Sequence, residues 1–229
     1  FWKIFCEMKE VILDTETTGL FVKDGHRIVE IGCIELEDLV PTKNRFHCYL
    51  NPERKVSEKA LEVHGYTDEF LSKQKKFSDV VNDFLDFIEN KRLVIHNAEF
   101  DLSHLNNELA LLGKKKINIE NTVDTLSLAR DKFPGSPISL DALCKRYRVD
   151  NSKRTQHTAL IDCDLLAKVY INLLGQKEPT LNFQNEDNEK IIINSDSINQ
   201  YYKGVISPTD EEIKLHKDYL KKNLKKNFF

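Results

Sequence analysis

The chain has 229 residues, enough for one substantial domain with an appendage. With 40% hydrophobic and 31% charged residues it reads as a globular protein, and no apolar run reaches membrane-spanning length. A net charge of −3 is not the footprint of a protein that binds DNA through bulk positive charge, but an enzyme that holds nucleic acid through divalent ions needs no such surface, so the charge balance favours neither class.

Taken in chain order, Val11 to Leu13 is a short, β-rich apolar run that reads as a buried strand. Asp14 and Glu16 follow at its carboxyl end, two residues apart and so on one face. Acids placed there must be solvated, paired or bound to metal, and open α/β sheets bind ligands at the carboxyl ends of their strands. By itself Asp-x-Glu fits a surface turn about as well as a metal site. Arg27–Ile34 reads as a second strand, Pro41 to Asn44 as a turn and Phe46 to Leu50 as a third strand, together an antiparallel meander. Ser57 is the expected N-cap of a short helix ending at His64-Gly65. Ser78 is the expected cap of the next helix, with its stripe of Val80, Val81, Phe84, Leu85 and Ile88. A fourth strand spans Leu93 to His96. The helix after it turns Phe100, Leu105, Leu109 and Leu112 inward and stops at Gly113. A fifth strand covers Thr122 to Thr125. Ser139 caps a helix bearing Leu140, Leu143, Cys144 and Tyr147, and the last domain helix runs from about Thr158 to Leu174, stopped by Gly175. A meander followed by strand–helix alternation predicts an α/β sheet of mixed direction.

Past Gly175 the composition shifts. Pro179 to Ser197 is rich in Asn, Asp, Glu and Ser and reads as a linker. Thr209 with Glu212 forms a capping-box pattern that opens a helix through Ile213, Leu215, His216, Tyr219 and Leu220, with lysines at its end. One isolated helix cannot bury its own stripe, so this one needs a partner. The five cysteines, Cys6, Cys33, Cys48, Cys144 and Cys163, are odd in number and lack C-x-x-C spacing, which predicts free thiols in a reducing cytoplasm. Cys163 is expected as a packed core thiol rather than a nucleophile.

Asp162 stands out on physical grounds. It shares a helix face with Ala159, Leu166, Val169 and Leu173, where a carboxylate is costly unless something positive meets it. Asp164, four residues before Lys168, reads as half of a surface pair. His157 lies five residues before Asp162, an offset that places it on the loop preceding the helix, where it suits proton transfer.

Two later stretches raise the weight of Asp14 and Glu16. One is His96-Asn97-Ala98-Glu99-Phe100-Asp101, after the apolar run Leu93-Val94-Ile95; the other is His157-Thr158-Ala159-Leu160-Ile161-Asp162. With Asp14-Thr15-Glu16-Thr17-Thr18-Gly19 they resemble, in order, the three exonuclease motifs of the DEDD superfamily, from about Val11 to Leu174. The His-x-x-x-x-Asp spacing marks the histidine subtype. The resemblance implies a ribonuclease H-like fold, a mixed five-stranded sheet flanked by helices, and 3′–5′ exonuclease activity carried by Asp14, Glu16, Asp101 and Asp162. Two unit charges at about 4 Å repel by about 4 kcal/mol at an effective dielectric of about 20, and hard divalent cations with oxygen ligands resolve this. The resemblance implies two such ions, Mg²⁺ or Mn²⁺: Asp14, Glu16 and Asp162 hold one, and Asp14 bridges to the second with Asp101 assisting. Such a pair clamps a phosphodiester, and His157 would take a proton from the attacking water.

For the terminal nucleotide, Thr17, Thr18 and Gly19 are placed to present backbone amides, and Phe100 to stack on a base. In the family a Val-His-Gly element lines the pocket, here Val63-His64-Gly65, and Asp14, Glu16 and Asp162 reach the substrate alongside Glu16's neighbour Thr17. Relatives with this layout often carry an acid just before the alanine that here is Ala60; this chain has Lys59 there, with Glu58 adjacent, which changes one contact to the terminal sugar. Lys145, Arg146, Arg148, Lys153 and Arg154 flank the histidine loop and either touch phosphates or form a solvated basic face.

Within the superfamily the chain resembles the proofreading epsilon subunits of bacterial DNA polymerase III, on Ser139-Leu140-Asp141-Ala142-Leu143-Cys144, on Asp150-Asn151-Ser152-Lys153-Arg154-Thr155 and on its tail. That implies an N-terminal extension over residues 1–8, an exonuclease domain over 9–175, a flexible linker over 176–204, and a tail helix over 205–229 that binds the polymerase alpha subunit. It also implies single-stranded or mispaired 3′ DNA ends as substrate, a sliding-clamp contact near Gln176 to Phe183, and the bacterial cytoplasm, with no membrane. Two rivals stay open. One is a free-standing 3′–5′ exoribonuclease of the same fold, against which the tail speaks. The other is a non-catalytic binding subunit, against which five intact active-site positions speak. Neither G-x-S-x-G nor a Walker loop occurs, which removes hydrolases and nucleotide-driven motors of those types.

Overall fold

The structure is a computed structural model that describes residues 9–152, 154, 156–175 and 208–223. The expected N-terminal extension, the linker and the clamp segment lie outside the described residues. The chain divides into two units, with the boundary between Thr180 and Leu181, and each is taken by itself.

Five strands build the first unit: β1 (Lys9–Thr17), β2 (Ile28–Glu37), β3 (Val40–Tyr49), β4 (Arg92–Ile95) and β5 (Thr122–Asp124), in the order β3-β2-β1-β4-β5. The β1–β2 and β2–β3 pairs are antiparallel; β1–β4 and β4–β5 are parallel. This is the mixed five-stranded sheet that the resemblance implies. Around it lie α1 (Glu58–His64), α2 (Asp68–Ser72), α3 (Phe77–Ile88), α4 (Ala98–Leu111), α5 (Thr125–Lys132), α6 (Leu140–Tyr147) and α7 (Ala159–Leu173). No described helix is long and apolar enough to cross a membrane.

Strand alternation divides the core in two. Val11 and Leu13 of β1 and Ile31 and Cys33 of β2 join Phe84 of α3 and Leu105 of α4 on one face. Ile12, Ile34 and Val94 join Leu143 of α6 and Leu166 and Tyr170 of α7 on the other. Asp14 and Glu16, in phase with Ile12, therefore fall on the α7 face, while Thr15 falls on the α4 face.

Several expected boundaries shift. The meander turn is Asp38-Leu39, with φ of 49° and 66°, so Pro41 to Asn44 lie inside β3 instead of forming the turn. Two left-handed central residues make the hairpin twist that Asn-Gly usually announces, and Leu39 announces nothing. Pro41 is tolerated because β3 is an edge strand. The cap of α3 is Lys76, not Ser78: the Asp79 carboxylate accepts from the Lys76 N–H at 3.0 Å. Leu112 does not turn inward; it is the C-cap of α4 and exposed, because the helix ends before the stripe reaches it. Asp164 pairs with Arg45 across to β3 at 3.0 Å, not with Lys168. Helices α2 and α5 went unread; Thr67 and Asp124 cap them, the latter accepting from Leu126 N–H at 2.9 Å. Cys33, Cys48, Cys144 and Cys163 are free thiols, and Cys163 Sγ donates to the Gly32 carbonyl at 3.2 Å inside the core.

In the second unit, α8 (Asp210–Asn223) begins with the expected capping box, Thr209 N–H donating to Glu212 Oε2 at 2.8 Å and Glu212 N–H to Thr209 Oγ1 at 3.3 Å.

Candidate active site

The acids gather because of register. Asp14 lies opposite Gly32 and Glu16 opposite Glu30, all on the α7 face of the sheet. A Cβ at Gly32 would stand 2.6 Å from the Ala159 carbonyl carbon, so only glycine lets the start of α7 lie directly on β2. That contact brings Asp162, in the first turn of α7, over the end of β1. On the opposite face Thr15 donates its N–H and its hydroxyl to Asp101 Oδ1, at 3.0 and 2.7 Å, which ties the first turn of α4 to the same strand. His157 sits on the loop before α7, half exposed, with its N–H donating to the Val63 carbonyl at 3.2 Å. Among the described residues, Glu16, His157 and Asp162 offer ligand atoms that all lie within 4.8 Å of one another. Asp14 and Asp101 stand outside that group, but close enough for their charges to be felt.

The electrostatics follow. Burial, then repulsion from Asp101, Glu16 and Asp162, holds Asp14 well above the usual carboxylate range. Burial, then Asp162 and Glu30, pushes Glu16 up to about 8. Burial pushes Asp101 up to about 7 against the opposing hydrogen bonds from Thr15. Asp162 goes the other way: burial would raise it, but the neighbouring His157 and the Arg154 guanidinium outweigh that and leave it low. Mutually repelling carboxylates that hold protons near neutrality are a donor set suited to a hard divalent cation.

The residue that sequence reasoning misplaced is Arg154. It neither faces solvent nor waits for phosphate. Its guanidinium, almost fully buried, clasps both oxygens of Asp162 at 2.6 and 2.7 Å, reaches Asp141 Oδ2 at 2.7 Å and donates to His157 Nδ1 at 2.8 Å. The buried acids it serves were visible in the sequence; the chain path that turns it inward was not. Arg146 stacks over Phe133, 4.2 Å from the ring centre.

Beside the acids opens a cleft of about 440 Å³ lined by Thr17, Val63, His64, Phe100, Lys59 and the exposed pair Leu20-Phe21, with Glu16 at its edge. Of the expected nucleotide contacts, Glu16, Thr17, Val63, His64 and Phe100 share this cavity together with Lys59, whereas Asp14, Asp162 and Thr18 do not line it. Tyr66 N–H donates to His64 Nδ1 at 3.0 Å and fixes that ring. Thr17 Oγ1 donates to the Gly19 carbonyl at 2.8 Å and shapes the turn after the acids. Leu20 and Phe21 were read only as loop, because an exposed apolar pair carries no signal of its own.

Comparison with known proteins agrees. Residues 11–170 match the family described as Exonuclease. The DNA polymerase III subunit epsilon of Rickettsia prowazekii is 47% identical over 223 residues, 95% of this chain and 97% of its own. That of Buchnera aphidicola from Schizaphis graminum is 41% identical over 92% of this chain and 95% of its own. The structure of Exonuclease X in complex with 5′ overhanging duplex DNA superposes with a TM-score of 0.58 at 26% identity, covering 73% of this chain and 92% of that one. The nuclease domain of 3′hExo, a DEDDh family member bound to rAMP, shares the fold, with a TM-score of 0.62 at 18% identity over 76% and 94%. Nucleases of this fold generally use divalent metal ions. On a family match and a relative that each span most of its length, the chain belongs to the exonuclease family, beside the epsilon subunits of DNA polymerase III, and is by that membership a 3′–5′ exonuclease.

Proposed function

We propose that this chain removes mispaired nucleotides from 3′ DNA ends as the proofreading subunit of a replicative polymerase. The observation that carries the reading is the convergence of Asp14, Glu16, Asp101 and Asp162 at the carboxyl ends of β1 and β4, beside a cleft of nucleotide size. Asp14, Glu16 and Asp162, with Asp101, would hold two Mg²⁺ or Mn²⁺ ions. When bound, these stabilise charge on the attacking and leaving oxygens of the phosphodiester.

The chain's own residues do the rest. Val63, His64 and Phe100 grip the terminal nucleoside, and Thr17 and Gly19 line the cleft beside it, while the expected amide of Thr18 is taken by the Arg27 carbonyl at 2.9 Å. His157, on a loop tied to Val63, takes the proton of the attacking water. Its Nδ1 accepts from Arg154, so a neutral ring carries its proton on Nε2. To take a proton at Nδ1, His157 must part from Arg154, which keeps Asp141 as its second anchor.

The partner follows from the relatives, which are named as polymerase III subunits. Residues 9–175 form the nuclease, 176–204 the linker, and 205–229 the segment that docks on the polymerase alpha subunit, with a clamp contact near Gln176 to Phe183. The test uses matched DNA and RNA strands labelled at either end, with Mg²⁺ or excess EDTA. Release of 5′-mononucleotides from the 3′ end of DNA, abolished by EDTA, is the expected result. A strong preference for RNA would favour the free-standing exoribonuclease, and full activity in EDTA would overturn the reading.

A further inference from the structure

Glu30 is a fully buried acid on the same face as Asp14 and Glu16, yet the chemistry above gives it no task. Its carboxylate collects three donors from three separate elements. His47 Nε2 on edge strand β3 lies 2.7 Å from Oε1, and Oε2 accepts both the Tyr66 hydroxyl, at 2.8 Å, and the Ala159 N–H, at 3.0 Å. Ala159 is the first residue of α7, two after His157 and three before Asp162. Tyr66 follows the stop of α1, and its ring stacks on His64 with centroids 4.8 Å apart at 24°. The two halves meet again where His157 N–H donates to Val63 O, and where the Gln156 side chain fills the space beside Gly65.

We propose that Glu30 is a positioning residue for the reaction: its carboxylate fixes the nucleotide-gripping end of α1 and the His157–Asp162 end of α7 relative to each other. A carboxylate accepts from all three neighbours at once. A neutral amide at position 30 keeps the Tyr66 and Ala159 bonds only if its NH₂ group turns toward His47 and that ring changes tautomer to accept. The negative charge also stands near Glu16 and raises it, so the site carries this acid at an electrostatic cost that a purely structural position would not impose.

The inference rests on the exonuclease reading, and the two fail separately. An unaltered chain without metal-dependent 3′–5′ activity would sink the reading, whereas unaffected variants of an active chain would sink only the inference. The experiment compares full-length Glu30→Gln with Glu10→Gln, an equally buried acid at the far end of β1. Glu30→Gln is expected to lower kcat at least tenfold per folded molecule with KM changed less than threefold. Glu10→Gln is expected to leave kcat unchanged at a similar loss of melting temperature. Should Glu30→Gln fail to fold, Tyr66→Phe removes one of the three bonds and keeps the ring; there a three- to tenfold fall in kcat is expected. Unchanged kcat in whichever variant folds, or a fall matched by Glu10→Gln at equal destabilisation, would overturn the proposal.

Discussion

Strand β1 carries three acids on one face, Glu10 near its start and Asp14 and Glu16 near its end, and the fold treats its two ends oppositely. Glu10 accepts from the Arg92 Nε–H at 2.9 Å and the Tyr170 hydroxyl at 3.0 Å, so its charge is answered inside the protein. Asp14 faces Asp101, Glu16 and Asp162, so its charge is opposed there. Four residues of strand separate an acid that serves the fold from one that the fold must tolerate. Retained repulsion among converging acids is the mark of a ligand site, because a purely structural position would select it away or pair it.

The largest expected effects invert this contrast. Asp14→Asn should lower kcat by on the order of a thousandfold, the several kcal/mol that metal ligation supplies, while raising the melting temperature in EDTA as repulsion is relieved. Glu10→Gln should do the reverse: full activity per folded molecule, and about 1–3 kcal/mol less stability from losing a hydrogen-bonded charge. Single-turnover rates and urea melts on both variants decide it. If Asp14→Asn were as destabilised in EDTA as Glu10→Gln, the contrast would collapse.

Next comes His157→Ala, expected to cost about 10²- to 10⁴-fold in kcat with Mn²⁺ affinity, read by calorimetry, held within a few-fold. A general base acts in the transition state and adds little to ground-state binding. Because His157 lies within 4.8 Å of the Glu16 and Asp162 oxygens, the competing outcome is plain: metal affinity falling in step with rate would make it a ligand.

A smaller effect should appear in stability against pH. Asp14, Glu16 and Asp101 hold folded-state pKa values above their unfolded ones. Their stabilising contribution is therefore fully present below the unfolded values and is lost as pH rises through about 7 for Asp101 and about 8 for Glu16. In EDTA the melting temperature should fall between about pH 4.5 and 8, and saturating Mg²⁺ should abolish most of that slope by binding the native state. Asp162, held low, adds an opposite slope only under acid conditions. A flat profile in EDTA would mean the acids are already neutralised within the protein.

Much of this was legible from spacing. Asp14 and Glu16 two apart, and Asp162 in a helical stripe with Leu166 and Val169, placed acids on buried faces before any fold was known. What stayed hidden depended on long-range contacts or on single backbone angles. Arg154 reads as one more cation in a basic stretch until α6 brings Asp141 beside α7. Glu30 reads as a strand residue between Val29 and Ile31 until three elements converge on it. The Asp38-Leu39 turn needs two left-handed residues that neither side chain advertises, and short helices such as α2 give too few turns for a period to show.

The tail offers the effect that should be smallest on chemistry and decisive for assembly. Helix α8 leaves Leu215 and Tyr219 exposed, with Ile213 on the neighbouring face, and its capping box closes its start without help from elsewhere. At 14 residues it is short for an isolated helix, and such helices owe most of their stability to packing, so a partner should both cover and stabilise it. A fragment ending at Gly175 keeps every acid, His157, Arg154 and the cleft, and should degrade single strands at the full-length rate. It should lose binding to the polymerase alpha subunit, and with it the rate advantage on mispaired ends, because tethering raises the effective concentration of nuclease near the primer without adding a contact at the site. Pull-down with the purified subunit, full-length chain against fragment, measures the first; mispaired-primer turnover with the subunit present measures the second. Equal binding by both would move the docking surface into residues 9–175 and leave the exposed stripe of α8 without this partner. An inactive fragment would instead mean that residues beyond Gly175 complete the nuclease, and the boundary drawn there would have to move.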